Sequence, residues 1–166
     1  MAIVLNAGEV LEIAQQIERN GARFYREAAR RALTPRARKA LEDLADMEAR
    51  HERTFASMLA ALPPEARQES LYDPYDESVQ YLRAVAAGQA TEMTGDLEDA
   101  LQGTRTIGDV LRKAIQMEKD SIVYYLGVVK VVPEDLGRDS VDEIIQEEMR
   151  HITLLTTMLE FPEGQT

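Results

Sequence analysis

The sequence contains no cysteine and no tryptophan, and its aromatic residues are six tyrosines and three phenylalanines. Without cysteine the chain forms no disulfides and has no thiolate chemistry or Cys-based zinc or iron–sulfur site. With so few aromatic residues, Leu, Ala, Val, Ile and Met must build most of the core, which favours helices over sheets. The 166 residues suffice for a substantial core, so we expect a single domain over residues 1–166.

Basic residues and long apolar runs are also scarce. The 19 Lys and Arg are outnumbered by 30 Asp and Glu, which gives a net charge of −11. Nucleic acids and anionic membranes bind clustered Lys and Arg, so we expect neither as a partner. No run approaches the roughly 20 apolar residues of a membrane span, and the N-terminal sequence does not resemble a signal peptide. We therefore expect a cytoplasmic protein.

Four long segments carry helix start and stop signals. Each opens with a residue that can cap a helix, and each ends at or shortly before a proline. The predicted caps are Asn6, Thr34, Thr106 and Ser140. These signals predict an all-α protein with four long helices.

The spacing of these helices predicts two helical hairpins, 7–62 and 107–161, joined by a long crossover over 63–106. A short helix is expected within the crossover, starting near Asp73-Pro74. A connection of this length can run along the whole bundle, which would make the second and third helices parallel. It could also let one half of the chain exchange places with the same half of a partner chain.

The two hairpins are copies of one design, related by a shift of 100 residues. The shift aligns polar as well as apolar positions. The aligned pairs include Glu18 with Glu118, Tyr25 with Tyr125, Glu48 with Glu148, and His51 with His151.

The apolar seam of each helix, spaced three and four residues apart, is interrupted near its middle by a glutamate. In the second and fourth helices a histidine follows one turn later. Antiparallel helices of similar length pack with their midpoints level. Six side chains are therefore predicted to meet at one buried spot: Glu18, Glu48, His51, Glu118, Glu148 and His151.

Charge indicates what this spot holds. Uncompensated buried carboxylates cost several kcal/mol each, so they must be protonated or bound to metal. Two divalent cations would balance four glutamates, and carboxylate with imidazole suits iron or manganese better than calcium. Two Glu with two Glu-x-x-His motifs is the general description of a di-iron helical bundle. The alternative is a buried polar network without metal.

Nearby residues are open to more than one interpretation. Tyr25 and Tyr125 lie on the seam, where they could bond to ligands, relay electrons or simply fill the core. Gly21 could leave room for metals or an oxidant, or allow close helix packing. Glu52 and Glu147 adjoin predicted ligands in sequence but are expected to face elsewhere.

With these residues in place, the chain resembles the erythrin domain of rubrerythrins, within the ferritin-like superfamily. The resemblance covers residues 9 to 160. Its specific motifs are Ile17–Tyr25, Glu48–His51, Met117–Tyr125 and Glu148–His151.

The resemblance implies a ferritin-like bundle whose six Glu and His ligands hold two iron ions that react with hydrogen peroxide or dioxygen. It also implies a homodimer, in which helices could be exchanged between subunits.

Two features depart from the family pattern. Ser121 stands where rubrerythrins usually have a further carboxylate, and without cysteine the chain lacks a rubredoxin domain, so the electron donor must be a separate protein. Ferritins commonly add a fifth helix, but only five residues follow Phe161.

The leading hypothesis is an oxidoreductase of the peroxidase or oxidase type, with Glu48 and Glu148 as bridging carboxylates and Glu18 and Glu118 as terminal ligands. A ferroxidase or iron-storage protein is the second hypothesis. A metal-stabilised structural bundle is the third.

Overall fold

The computed structural model describes residues 6–65, 80–82, 84, 106–132 and 134–161. Nearly all of them lie in four long helices: α1 (Ala7–Arg31), α2 (Pro35–Ala61), α3 (Ile107–Val131) and α4 (Arg138–Glu160). A short 3-10 turn, Glu134–Leu136, precedes α4. The predicted all-α fold with four long helices is confirmed. None of the described helices is both long and apolar enough to cross a membrane.

The first three helices begin at their predicted caps. In α1, Asn6 and Glu9 form a reciprocal capping box with two hydrogen bonds of 2.9 Å. Thr34 caps α2 and is followed by Pro35, which needs no hydrogen-bond acceptor at this position. Thr106 caps α3 in a second capping box. Local side-chain chemistry therefore determines where these helices start.

The predicted start of the fourth helix at Ser140 is wrong. Helix α4 begins at Arg138, and its N-cap is Gly137 in a left-handed conformation with φ 102°. The carbonyl of Gly137 already accepts the N–H of Ser140, at 3.0 Å. The Arg138 guanidinium donates to the carbonyl of Val132, at 2.9 Å, and so holds the start of α4 against the end of α3. Glycine adopts the left-handed backbone conformation without strain, so Gly137 starts α4 without a hydrogen bond from a capping side chain.

Helices α1 and α2 form one antiparallel hairpin, α3 and α4 form the other, and contacts of α1 with α3 and of α2 with α4 close the bundle. One apolar cluster joins the start of α1 to the ends of α2 and α3, including Val10, Leu62 and Val132. A second joins the starts of α2 and α3, including Leu41 and Val110. Helices α2 and α3 therefore run parallel, as predicted from the length of the crossover.

Part of the crossover packs on α3. Residues 80–82 and 84 are helical. Leu82 is fully buried, and the Tyr81 hydroxyl donates to the carbonyl of Val123. A Cβ at Gly127 would lie 2.6 Å from Leu82 Cδ2, so this close approach requires glycine. The short helix predicted near Asp73-Pro74 lies outside the described residues.

Candidate metal centre

The four helices each contribute one buried glutamate between the two apolar clusters. The glutamates are Glu18 on α1, Glu48 on α2, Glu118 on α3 and Glu148 on α4. None is more than 4% exposed. Each lies on the apolar face of its helix, because the seam spacing places it there. The structure thus brings the four predicted glutamates to one level of the bundle.

The two predicted histidines lie in the same spot, one turn after Glu48 and Glu148. Their rings are nearly parallel, with centroids 5.8 Å apart. The Nδ1 atom of His51 lies 2.9 Å from Glu148 Oε1 and 3.4 Å from Glu18 Oε2. The Nδ1 atom of His151 lies 2.8 Å from Glu148 Oε2 and 3.3 Å from Glu118 Oε1. Both histidines therefore direct the same ring nitrogen towards the glutamates.

The six side chains form two overlapping groups, each with ligand atoms within 4.8 Å of one another. One group is Glu18, Glu48, His51 and Glu148, and the other is Glu48, Glu118, Glu148 and His151. Glu48 and Glu148 belong to both groups. Two neighbouring ions held by these groups would share the two carboxylates, and each would have one further Glu and one His.

The hydrogen bonding of these atoms fits a metal centre. Seven of their buried nitrogen and oxygen atoms have no hydrogen-bond partner in the part of the chain that the structure describes. Among them are Nδ1 of both histidines and both carboxylate oxygens of Glu148. Buried polar atoms normally have a partner, and unsatisfied ones are costly. Carboxylate and imidazole donors that converge in this way match the donor set of iron or manganese.

The electrostatics without metal show an excess of negative charge. Burial and the charges of Glu118 and Glu18 raise the pKa of Glu148 to about 8. Burial alone would lower the pKa of the histidines, but the carboxylates raise it to about 11 for His51 and about 9 for His151. The pKa of Glu48 is also raised well above its usual value by burial and by the other glutamates. The metal-free centre therefore takes up protons, and cations of higher charge could replace them.

The two seam tyrosines connect the hairpins. Tyr25 donates its hydroxyl hydrogen bond to Glu118, and Tyr125 donates to Glu18. Burial, followed by the charges of nearby glutamates, raises the pKa of both phenols well above their usual value. Both hydroxyls thus stay protonated and remain donors. Of the interpretations left open above, a hydrogen bond to a predicted ligand is the one observed for both tyrosines.

Gly21 makes room for the side chain of Glu48. A Cβ at this position would lie 2.6 Å from Glu48 Oε2 and 3.3 Å from Glu48 Cδ. The space therefore belongs to the carboxylate of Glu48. At the equivalent place in α3, Ser121 donates its hydroxyl to the carbonyl of Met117 in the same helix, at 3.0 Å.

Sequence reasoning missed one residue of the centre. Glu147 was expected to face elsewhere, yet its Oε2 lies 2.7 Å from Nε2 of His51, across the bundle. The hydrogen bond from His51 lowers the pKa of Glu147, so this carboxylate stays ionised. Glu52 does face away, towards Arg19, at 2.8 Å. The available signal was the Glu-Glu pair 147–148, which has no counterpart at Met47 in the first hairpin.

Comparison with known proteins supports the same fold. A solved structure from Thermotoga maritima, described as that of a ferritin-like diiron-carboxylate protein, superimposes with a TM-score of 0.68. The alignment covers 94% of this chain and 95% of the other, at 22% sequence identity. At that identity the likeness demonstrates the fold. No curated protein matches the sequence.

The family is identified by the sequence as a whole. The model of the rubrerythrin family matches residues 9–159. That span includes all six converging side chains, both seam tyrosines and Glu147. The prediction made from the sequence motifs is confirmed: the chain belongs to the rubrerythrin family.

Proposed function

We propose that this chain is a di-iron oxidoreductase that reacts with hydrogen peroxide or dioxygen, using Glu18, Glu48, His51, Glu118, Glu148 and His151 as metal ligands. The observation that carries the proposal is the convergence of six buried carboxylate and imidazole side chains in two overlapping groups. Seven of their buried nitrogen and oxygen atoms have no hydrogen-bond partner among the described residues. Membership in the rubrerythrin family supports iron as the metal, and manganese is the alternative that the same donors would accept.

The overlap of the two groups supports the proposed ligand roles. Glu48 and Glu148 belong to both groups, so they are proposed to bridge the ions. Glu18 with His51 would complete one position, and Glu118 with His151 the other. Four carboxylates with neutral histidines balance two divalent ions. This balance removes the cost of burying like charges together.

The chemistry depends on the ions and on the residues around them. Two ferrous ions would supply one electron each, and with two protons these reduce one hydrogen peroxide to two waters. The role of Tyr25 and Tyr125 is to hold Glu118 and Glu18 by hydrogen bonds from neutral phenols. Because the chain has no cysteine, the electrons that restore the ferrous state would come from a separate donor protein. Cytoplasmic location and a homodimer, with or without exchanged helices, remain predictions.

The first test is metal content, measured by elemental analysis of protein purified without chelators. We expect about two iron ions per chain in the parent protein. The double variant Glu48→Gln, Glu148→Gln should hold far less, because it removes both bridging charges at nearly constant volume. The matched control is Glu42→Gln, Glu143→Gln, which changes two exposed glutamates on the same two helices. Equal metal loss in both variants would contradict the assigned ligands.

The second test is reactivity. Stopped-flow mixing of the di-ferrous protein with hydrogen peroxide, and separately with dioxygen, should oxidise the centre much faster than free ferrous ion. Oxidation at the rate of free iron would rule out the oxidoreductase. Loading with excess ferrous iron distinguishes the oxidoreductase from the second hypothesis, a ferroxidase or iron-storage protein. Retention far above two irons per chain would indicate storage.

A further inference from the structure

The repeat makes the two halves of the centre nearly identical. Each group of ligand atoms contains three carboxylates and one imidazole. Each unshared glutamate accepts a hydrogen bond from a tyrosine of the other hairpin. Both histidines direct Nδ1 inward. The donor atoms alone therefore predict two equivalent metal positions.

The equivalence ends at the outer nitrogens of the histidines. Nε2 of His51 is 2.7 Å from Glu147 Oε2. Nε2 of His151 is buried and has no hydrogen-bond partner among the described residues. The shift of 100 residues that relates the hairpins places Met47, which has no carboxylate, at the position equivalent to Glu147.

We infer that Glu147 is a positioning residue that makes the two metal positions unequal, so that the position of His51 and Glu18 fills first and binds its ion more tightly. The inference rests on the metal centre proposed above. A carboxylate that accepts the Nε2–H of a histidine selects the tautomer with a free lone pair on Nδ1, holds the ring in place and makes Nδ1 a better donor. No described residue accepts the Nε2–H of His151, so His151 has none of these three effects.

The glycine on the seam of the first hairpin does not produce this inequality. Gly21 approaches Glu48, which both groups share, so it does not favour one position. The side chain of Glu147 is 35% exposed, so the solvent weakens its charge at a distance, and its main effect is through the hydrogen bond. The bonded pair of His51 and Glu147 is therefore the source of the predicted difference.

Calorimetric titration of the metal-free protein with Co²⁺ tests the inference. We expect two binding steps whose affinities differ by roughly 10–100-fold, the usual effect of such a hydrogen bond to a ligand histidine. The variant Glu147→Met gives position 147 the residue that the repeat has at position 47. It should weaken the tighter step by the same factor, so that the two steps merge. The variant Glu147→Gln removes the same charge but keeps an oxygen acceptor, and most of the separation should remain.

The position of the first ion is a second readout. Anomalous scattering at the cobalt edge, from crystals prepared with about one Co²⁺ per chain, should place the ion beside His51 and Glu18. Equal steps in the parent protein, equal losses in the Met and Gln variants, or an ion beside His151 would each overturn the inference while leaving the metal centre intact. Failure to bind Co²⁺ at all would overturn the proposed function as well. Cooperative melting curves of the metal-free variants establish that all of them fold.

Discussion

At the scale of single residues, side chains without a ligand atom control where the ligand oxygens lie. Gly21 leaves the space that the carboxylate of Glu48 occupies. Tyr125 holds Glu18 by a hydrogen bond from the opposite hairpin, and Tyr25 holds Glu118 in the same way. Glutamate is flexible, so a defined metal centre needs such constraints on each carboxylate.

Gly21→Ala is expected to weaken metal binding without unfolding the protein. The new methyl group would lie 2.6 Å from Glu48 Oε2 and so displace a carboxylate that is proposed to bridge the ions. The helix itself gains up to about 1 kcal/mol from the replacement of glycine by alanine. We expect Co²⁺ affinity to fall about tenfold or more, measured by calorimetry, while the melting temperature of the metal-free protein does not fall.

The matched control for this substitution is Ser121→Ala. Among the described residues its hydroxyl bonds to the carbonyl of Met117 in its own helix and to no other group, so its removal should leave Co²⁺ affinity unchanged. If Gly21→Ala bound Co²⁺ as tightly as this control, Gly21 would be there for helix packing instead.

Tyr125→Phe is expected to reduce both stability and metal affinity. The change removes the hydrogen bond to Glu18 and leaves a buried carboxylate oxygen without its donor. Such a loss costs about 1–3 kcal/mol, which urea unfolding of the metal-free protein would measure. Tyr124→Phe is the control, because its hydroxyl donates to the carbonyl of Val10, at 3.0 Å, away from the ligands. It should lower the free energy of unfolding but not the Co²⁺ affinity, and equal affinities in the two variants would contradict the role given to Tyr125.

At the scale of the helices, the pairing of hairpins and the docking of the crossover build the frame of the centre. Each of the two hairpins supplies two glutamates and one histidine to the centre. The crossover residues Tyr81 and Leu82 pack on α3 at Gly127, where a side chain would collide with them. The packing of the crossover on α3 therefore depends on the small residue at position 127.

Gly127→Ala is expected to destabilise the bundle by about 1 kcal/mol or more. Its methyl group would lie 2.6 Å from Leu82 and 2.9 Å from the Tyr81 ring, and overpacking of this kind outweighs the gain in helix propensity. Gly108→Ala is the matched control in the same helix, because its nearest neighbours would be 3.6 Å away, an ordinary contact. Urea unfolding should show a loss for the first variant and no loss for the second. Equal free energies of unfolding would show that the crossover adjusts without cost.

At the scale of the whole molecule, the buried centre concentrates negative charge inside a chain that is already acidic. Without metal, burial and the neighbouring glutamates raise the pKa of Glu148 to about 8. Burial lowers the pKa values of His151 and His51, but the glutamates raise them to about 9 and 11, so bound protons reduce the negative charge. With metal, the ions compensate the carboxylates directly. The stability of the whole bundle is thus linked to pH in the metal-free protein and to metal concentration in the metal-bound protein.

The metal-free protein is expected to lose stability as the pH rises from about 5 to 9. For Glu148, a folded pKa of about 8, above the usual 4.5, means that ionisation costs the folded state more as the pH rises through this range. For His151, a pKa of about 9, above the usual 6.5, gives stability that is full below pH 6.5 and is lost as the pH rises through 9. Urea unfolding of chelated protein across this range would measure the decline. Stability that rises with pH in the metal-free protein would contradict the raised pKa values.

By itself, the sequence determined the helices, the seams and the six side chains that meet in the middle. The period of a helix decides which residues share a face, and the repeat at 100 residues places equivalent glutamates at equivalent depth. Capping residues located the start of three helices because a cap acts on its own first turn. Ser140 was wrong as the fourth cap because a left-handed Gly137 can start a helix without a side-chain bond.

Only the tertiary structure decided which atoms meet across the helices. The contact of Glu147 with His51, the crossed bonds of Tyr25 and Tyr125, and the approach of Glu48 to Gly21 depend on how each helix is rotated and offset along its neighbour. Helical periodicity leaves these two quantities undetermined. It also leaves a half-buried residue at the edge of a seam, such as Glu147, equally able to face the solvent or the centre, and packing makes that choice.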